Sequence, residues 1–363
     1  MEGNMNRITR RKFLRLLLQT AGASAVVPLL QACGIRPAGE GATPTNTPFG
    51  PAVPGIFKMG SVAGAVEPTG TPPPAETPAP TDPPPTATAE AAYLAAARGG
   101  DDPEALTRAA VAAIGGIGRF VPPGANVIIK PNICTANRAY KFAATTNPWV
   151  VGALVKMCRE AGAVRVCVYD YPFDGGSYDA YQVSEIAEQV IAAGGELETV
   201  SFAKFVPVQP QGTVSFLSAK VYQDILEADV LIDVPVAKHH SGAGLTLAMK
   251  NLMGVVQNRP AIHNNLHRQI AELAAFIRPT LTVIDGVRML LAGGPLGGSL
   301  GDVRKADTVV ASADIVAADA YAVTRLFGWS SPDNLGYVRI GREIGLGRSD
   351  LENLKIEEIT LAA

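Results

Sequence analysis

All four histidines of the chain fall in one stretch, between positions 239 and 267. His263 and His267 are four apart, which on a helix puts both rings on one face. Two imidazoles so placed can chelate a divalent metal. The same spacing also suits a plain polar helix face, with His263 left in the preceding loop. His239 and His240 follow a β-branched run. Adjacent side chains on extended backbone point apart, so only one of the two can enter a pocket. Gly242, Gly244, Thr246, Lys250, Asn251 and Gly254 come next. The two early glycines let backbone approach a ligand closely. A helix over residues 246–253, stopped by Gly254, would aim free N–H groups and a partial positive charge at an anion. Thr246 and Lys250 would then lie one turn apart on the same face. Lys250 can hold a carboxylate or phosphate, act as a base once desolvated, or be an ordinary surface lysine. The pattern is not a GxxxxGKS/T phosphate loop, and no clear GxGxxG follows the first strand.

Such residues need a frame, and the chain beyond residue 90 supplies alternating β-branched and helical stretches. Residues 126–130, 164–169, 230–234, 281–284 and 308–312 read as strands. Residues 148–161, 181–193, 246–253, 267–277 and 315–327 read as helices, with Gly194-Gly195 and Pro279 as stops. Continuous apolar strands between helices indicate a three-layer α/β fold, a mostly parallel sheet with helices on both faces. Ligands in such folds bind outside the carboxyl ends of the strands. Lys130-Pro131-Asn132 follows the first strand, Asp170 and Gly175-Gly176 the second. Lys238, His239 and His240 follow the third, and Asp285-Gly286 the fourth. An Asp after a strand is usually a turn or cap residue, but four polar strand ends together point to one shared pocket.

Composition narrows the function classes. Lys plus Arg number 31 against 33 Asp plus Glu, a net charge of -2, so no nucleic-acid partner is expected. The cysteines are Cys33, Cys134, Cys158 and Cys167, with no CxxC pair, so no zinc ribbon and no iron–sulfur cluster is expected. Cys134 lies on the pocket side of the loop after Asn132, as a candidate ligand or reactive thiol. Cys158 and Cys167 read as core residues, or as a disulfide across a tight helix-to-strand turn.

The N-terminus is an address. Thr9-Arg10-Arg11-Lys12-Phe13-Leu14-Arg15 resembles a twin-arginine export signal, and the apolar stretch 16–32 is too short and interrupted for a transmembrane helix. Leu30-Gln31-Ala32-Cys33 resembles a lipobox, with Gln31 departing from the usual small residue. Acylation of Cys33, simple cleavage and an uncleaved anchor all remain open. The resemblance implies the twin-arginine machinery as a partner, and proteins using it are often folded around a cofactor before they cross. The expected location is the outer face of the cytoplasmic membrane, in the cell envelope. Residues 34–90 are rich in Pro, Thr, Ala and Gly and read as a disordered linker. Residues 91–363 form the α/β domain.

From about residue 92 to 328 the chain resembles the domain of unknown function 362 family. The resemblance rests on Gly115-Gly116, Pro123-Gly124 and Lys130-Pro131-Asn132; on Lys238, His240, Gly244, Thr246, Lys250-Asn251 and Gly254; on His263 and His267 leading to Asp285-Gly286; and on Gly294-Pro295, Gly297, Ala317 and Asp319. It implies an opening strand over residues 93–97. Many members carry an added ferredoxin-like segment whose cysteines this chain lacks, and the family's activity is unsettled. The order of His240, Gly244, Lys250 and Gly254 is also similar to a stretch in nickel-pincer lactate racemases.

The expectation is an exported, membrane-tethered protein with a pocket at the strand ends. His240, Lys250 and Asp285 are the candidate catalytic residues. Lys130, Asn132, Thr246 and Asn251 would bind a small anionic substrate. His240, with His263 or His267, would hold a divalent transition metal or act as acid/base. Cys33 would carry the lipid. The rival is a non-enzymatic envelope lipoprotein that binds a small ligand or metal.

Overall fold

A computed structural model describes residues 91–362. The expectations for residues 1–33 and 34–90 lie outside the described residues. The elements run in chain order as β1 (Leu94–Arg98), α1 (Pro103–Ala113), β2 (Asn126–Pro131), α2 (Pro148–Glu160), β3 (Arg165–Tyr169), α3 (Ser177–Val183), α4 (Ile186–Ala192) and β4 (Glu196–Glu198). A small hairpin of β5 (Phe205–Val208) and β6 (Ala219–Tyr222) follows, then α5 (Gln223–Glu227), β7 (Val230–Val234), β8 (Val236–His240), β9 (Gly244–Thr246) and α6 (Ala248–Asn251). The chain closes with α7 (Leu266–Ile277), β10 (Leu281–Leu290), β11 (Val303–Ser312), α8 (Ile315–Tyr321), α9 (Gly336–Glu343) and β12 (Ile356–Thr360).

The main sheet is ordered β12-β1-β11-β10-β7-β2-β3-β4, with β8 and β9 attached beside β10. The run β10-β7-β2-β3-β4 is parallel throughout, and β11 is antiparallel to both of its neighbours. This is the three-layer α/β fold that the alternating pattern predicts. Apolar side chains alternate between its two faces. Val127 and Ile129 of β2 join α1, α2 and α4 in one core, and Ile128 joins α7, α8 and α9 in the other. A strand buried on both faces has no polar side to spare, hence the unbroken VII of β2. Helix starts obey local chemistry: Asn147 caps α2 by accepting from the Trp149 N–H, with Pro148 in the first turn.

The chain steps from β2 to β3 to β4 in one direction and places β7 on the other side of β2. Between β2 and β7 the strand order therefore reverses, and a crevice opens at the carboxyl ends there.

Several local readings change. The stretch 181–193 is two short helices, because Glu185 takes a left-handed φ of 64° and breaks the ladder. Thr246 belongs to β9, paired with Lys238, and the helix after it has four residues. The strand beginning at Leu281 runs on to Leu290, so Asp285 lies inside it. Cys158 and Cys167 are free and buried in opposite cores, which separates them by the thickness of the sheet. The disulfide alternative is not realised, and burial pushes both thiols up to about 12.

Candidate functional site

The crevice encloses about 500 Å³ and is lined from the ends of β2, β3 and β8 and from the segment running from Thr246 to His263. Its floor is a bonded polar lattice. Lys130, on β2 and fully buried, donates to Asp170 Oδ1 (2.7 Å), the Pro131 carbonyl (2.9 Å) and Asn251 Oδ1 (3.2 Å). Asp170 Oδ2 accepts from the Ile133 N–H at 2.6 Å. Asn251 donates to Asp233 Oδ1 (2.8 Å) and accepts from Asn132 Nδ2 (2.9 Å). Asn132 in turn accepts from Lys238 Nζ at 2.9 Å, and Lys238 completes its shell on the carbonyls of Ala144 (2.7 Å) and Pro295 (3.1 Å). Gly254 is required here, since a Cβ would run into Asp170 Oδ1 and Lys130 Nζ. Asp233 is fully buried, and burial raises its pKa well above the carboxylate range.

Above this lattice three polar groups have no hydrogen-bond partner among the described residues. Lys250 Nζ is one. Thr246 Oγ1, buried in the same wall, is the second. The third is His240 Nε2. The Nδ1 of His240 accepts from the N–H groups of Gly242 (3.0 Å) and Ala243 (3.1 Å), so the proton of the neutral ring sits on Nε2. Burial, then the charges of Lys250 and Lys238, push the His240 pKa down to about 3. Burial, then Lys238, brings Lys250 down to about 7, and burial also lowers Lys238. One carboxylate, Asp170, lines the cavity against Lys130, Lys238, Lys250 and Arg259. With Asp170 engaged by Lys130, the remaining charged side chains of the lining, Lys238, Lys250 and Arg259, are all basic.

The structure brings together Lys130, Asn132, His240, Thr246, Lys250 and Asn251, as the strand-end reading expects. Of the adjacent histidines one enters the pocket, and His239 turns away to accept from the Gly294 N–H at 3.1 Å. Two assignments, Asp285 and His267, are corrected. Asp285 does not line the cavity; its carboxylate accepts from the N–H groups of Asn147 (2.7 Å) and Val287 (3.0 Å), and burial raises its pKa to about 6. His267 packs against Tyr337, ring centroids 5.9 Å apart, away from the cavity. His263 reaches the cavity rim, but from an exposed turn that ends before α7 begins, so the two rings do not share a helix face.

The residues also fail as a metal ligand set. Among the described residues no group of three or more His, Cys, Asp or Glu is placed to hold an ion. Coordination at His240 Nε2 would move the ring proton to Nδ1, against two backbone donors. Nor does α6 offer an anion its N-terminus: the N–H groups of Ala248 and Met249 are taken by the buried carboxylate of Asp319 at 2.7 and 3.0 Å.

Sequence reasoning assigned no role to Lys238, Asp170 or Arg259. A lysine inside an apolar strand was the available signal for Lys238; Arg259 follows no pattern that marks it. Its guanidinium donates to the carbonyls of Tyr171 and Pro172, both at 2.8 Å, and sits 4.0 Å from the Tyr171 ring centroid.

Residues 127–324 match the family model described as domain of unknown function (DUF362), a span that contains every residue lining the cavity. Thylakoid-associated protein sll1697 of Synechocystis sp. is 29% identical over 221 residues, which cover 57% of this chain and 64% of that protein. The chain thus matches less than two thirds of that relative's length. The lactate racemase apoprotein from Thermoanaerobacterium thermosaccharolyticum superposes with a TM-score of 0.41 at 12% identity, over 68% of this chain and 57% of that one.

Proposed function

The chain belongs to the domain of unknown function (DUF362) family, and from the chemistry of its own pocket we propose that it is an enzyme that binds a small organic anion and exchanges a proton with it through Lys250. One observation carries this reading: Lys250 Nζ, Thr246 Oγ1 and His240 Nε2–H line one cavity and make no hydrogen bond among the described residues, whereas Lys130, Asn132, Lys238 and Asn251 behind them are bonded to one another. Leaving the buried Thr246 hydroxyl unmet costs about 1–3 kcal/mol, and a ligand oxygen accepting from it would remove that cost.

The roles follow from the electrostatics. Lys250, at about 7, is split between ammonium and free amine near neutrality. As ammonium it holds the anion and can hand its proton to the bound substrate, which leaves the free amine. His240, at about 3, stays neutral and acts as a fixed donor to an oxygen on which charge develops. No step is routed through a metal, because the His240 ring is oriented against one.

The anion reading is tested by calorimetric titration of the protein with acetate and inorganic phosphate. The ammonium form binds the anion, so affinity should fall as pH rises through about 7. Lys250→Gln, folded by circular dichroism, should bind roughly tenfold more weakly or worse. Wild-type affinity in that variant would overturn the assignment.

We also propose, from the signal-like N-terminus and Cys33, that the protein is exported and held at the membrane by an acylated Cys33. The name of the relative, a thylakoid-associated protein, is in keeping with a membrane-side location. The fractionation of a Cys33→Ser variant tests it.

A further inference from the structure

The cavity is much larger than a small acid needs. At about 500 Å³ it holds roughly 16 waters of about 30 Å³ each. A two- or three-carbon acid at Lys250 would leave most of that space wet. Clefts of roughly 300–1,000 Å³ ordinarily take ligands with a body as well as a head.

The wall facing that space is not polar. Ile133 and Met253 are buried against it, and Phe173 lines it while remaining 63% exposed. No aromatic partner covers the Phe173 ring among the described residues. Beside it, Arg259 is clamped by two backbone carbonyls over Tyr171, whose ring is braced by Phe202 at 6.0 Å and Phe205 at 5.9 Å. Two backbone carbonyls and the Tyr171 ring fix the orientation of this guanidinium. It presents a fixed cation to whatever lies in the cavity, and the face of an aromatic ring suits it. The lining therefore combines the cationic Lys250 and Arg259 with the apolar Ile133, Phe173 and Met253.

Resting on the anion reading above, we infer that the ligand is an amphipathic anion: a carboxylate or phosphate head at Lys250 on a flat aromatic body that lies along Ile133, Phe173, Met253 and Arg259. The body replaces the water over Phe173, and the adaptable Met253 side chain fills against it. Charge selects the head and area selects the body.

The experiment is a calorimetric comparison on the full-length chain, using acetate against benzoate and inorganic phosphate against phenyl phosphate. Within each pair the aromatic member should bind at least tenfold more tightly, and whichever aromatic member binds better identifies the head. Phe173→Ala, at an exposed position that the core does not depend on, should cut the ratio within each pair at least threefold. Equal affinities within both pairs would overturn this inference and leave the anion reading standing. A ratio unchanged by Phe173→Ala would also overturn it, because the body would then lie elsewhere. Failure of all four probes to bind would overturn both readings.

Discussion

Two backbone amides set the protonation of the pocket. By donating to His240 Nδ1, the N–H groups of Gly242 and Ala243 leave the proton on Nε2 and oppose a second one. Burial and two neighbouring lysines act in the same direction, which takes the pKa from 6.5 to about 3. The expected outcome is an imidazole whose NMR ring-carbon shifts stay those of the neutral Nε2–H tautomer from pH 8 down to about 4. A titration centred near 6.5 would show that the two amide bonds do not persist in solution. The two amide bonds oppose a second proton on His240, which is why the proposed proton exchange is assigned to Lys250. The three pocket lysines differ by their surroundings alone. Lys130 faces a carboxylate, Lys238 faces three neutral oxygens, and Lys250 faces open space.

At the scale of the element, the segment from Thr246 to Val255 packs a strand end, a four-residue helix and a 3₁₀ turn where a single helix was expected. Asp319 fixes where the helix starts. Its buried carboxylate takes the first two N–H groups, and burial raises its pKa to about 7. The segment then turns tightly enough for Gly254 to touch the Lys130–Asp170 pair. Gly254→Ala should force that pair apart. Denaturant unfolding should show a loss of about 1–3 kcal/mol, the usual cost of overpacking, and acetate binding should weaken as Lys130 shifts beneath Asn251. Unchanged stability would mean that the pair yields to a methyl group without strain. Glycines often stop helices, but here the residue is small because two charged side chains occupy the space.

At the scale of the whole molecule, the reversal of strand order between β2 and β7 gathers residues as far apart in the chain as Lys130 and Pro295 around one cavity. The remaining question at this scale is where the molecule sits. Among the described residues no helix is long and apolar enough to cross a membrane, so the anchor proposed above rests on Cys33. In cells expressing the full chain, Cys33→Ser should move the protein from the membrane to the soluble fraction. Retention in the membrane would instead mean that the apolar stretch before Cys33 stays attached as an uncleaved anchor.

Local chemistry made much of this legible in the amino-acid order. Strands buried on both faces must be continuously apolar, so the parallel sheet and most of its helices could be read from VII, VCVY and VLIDV. Polar residues at strand ends mark Lys130, Asn132 and His240, and the glycine-flanked stretch after His240 marks Thr246, Lys250 and Asn251, as the lining of one pocket. Contacts between distant segments could not be read in that way. The Asp319 carboxylate caps the start of a helix 71 positions away. The continuation of β10 to Leu290 hides Asp285, and the packing of His267 on Tyr337 removes a candidate ligand. Each of these depends on which side chain faces which, and with what burial. Such pairings arise only when the sheet is assembled, because spacing along the chain constrains neighbours within a turn or a strand and says nothing about partners brought together by a crossover.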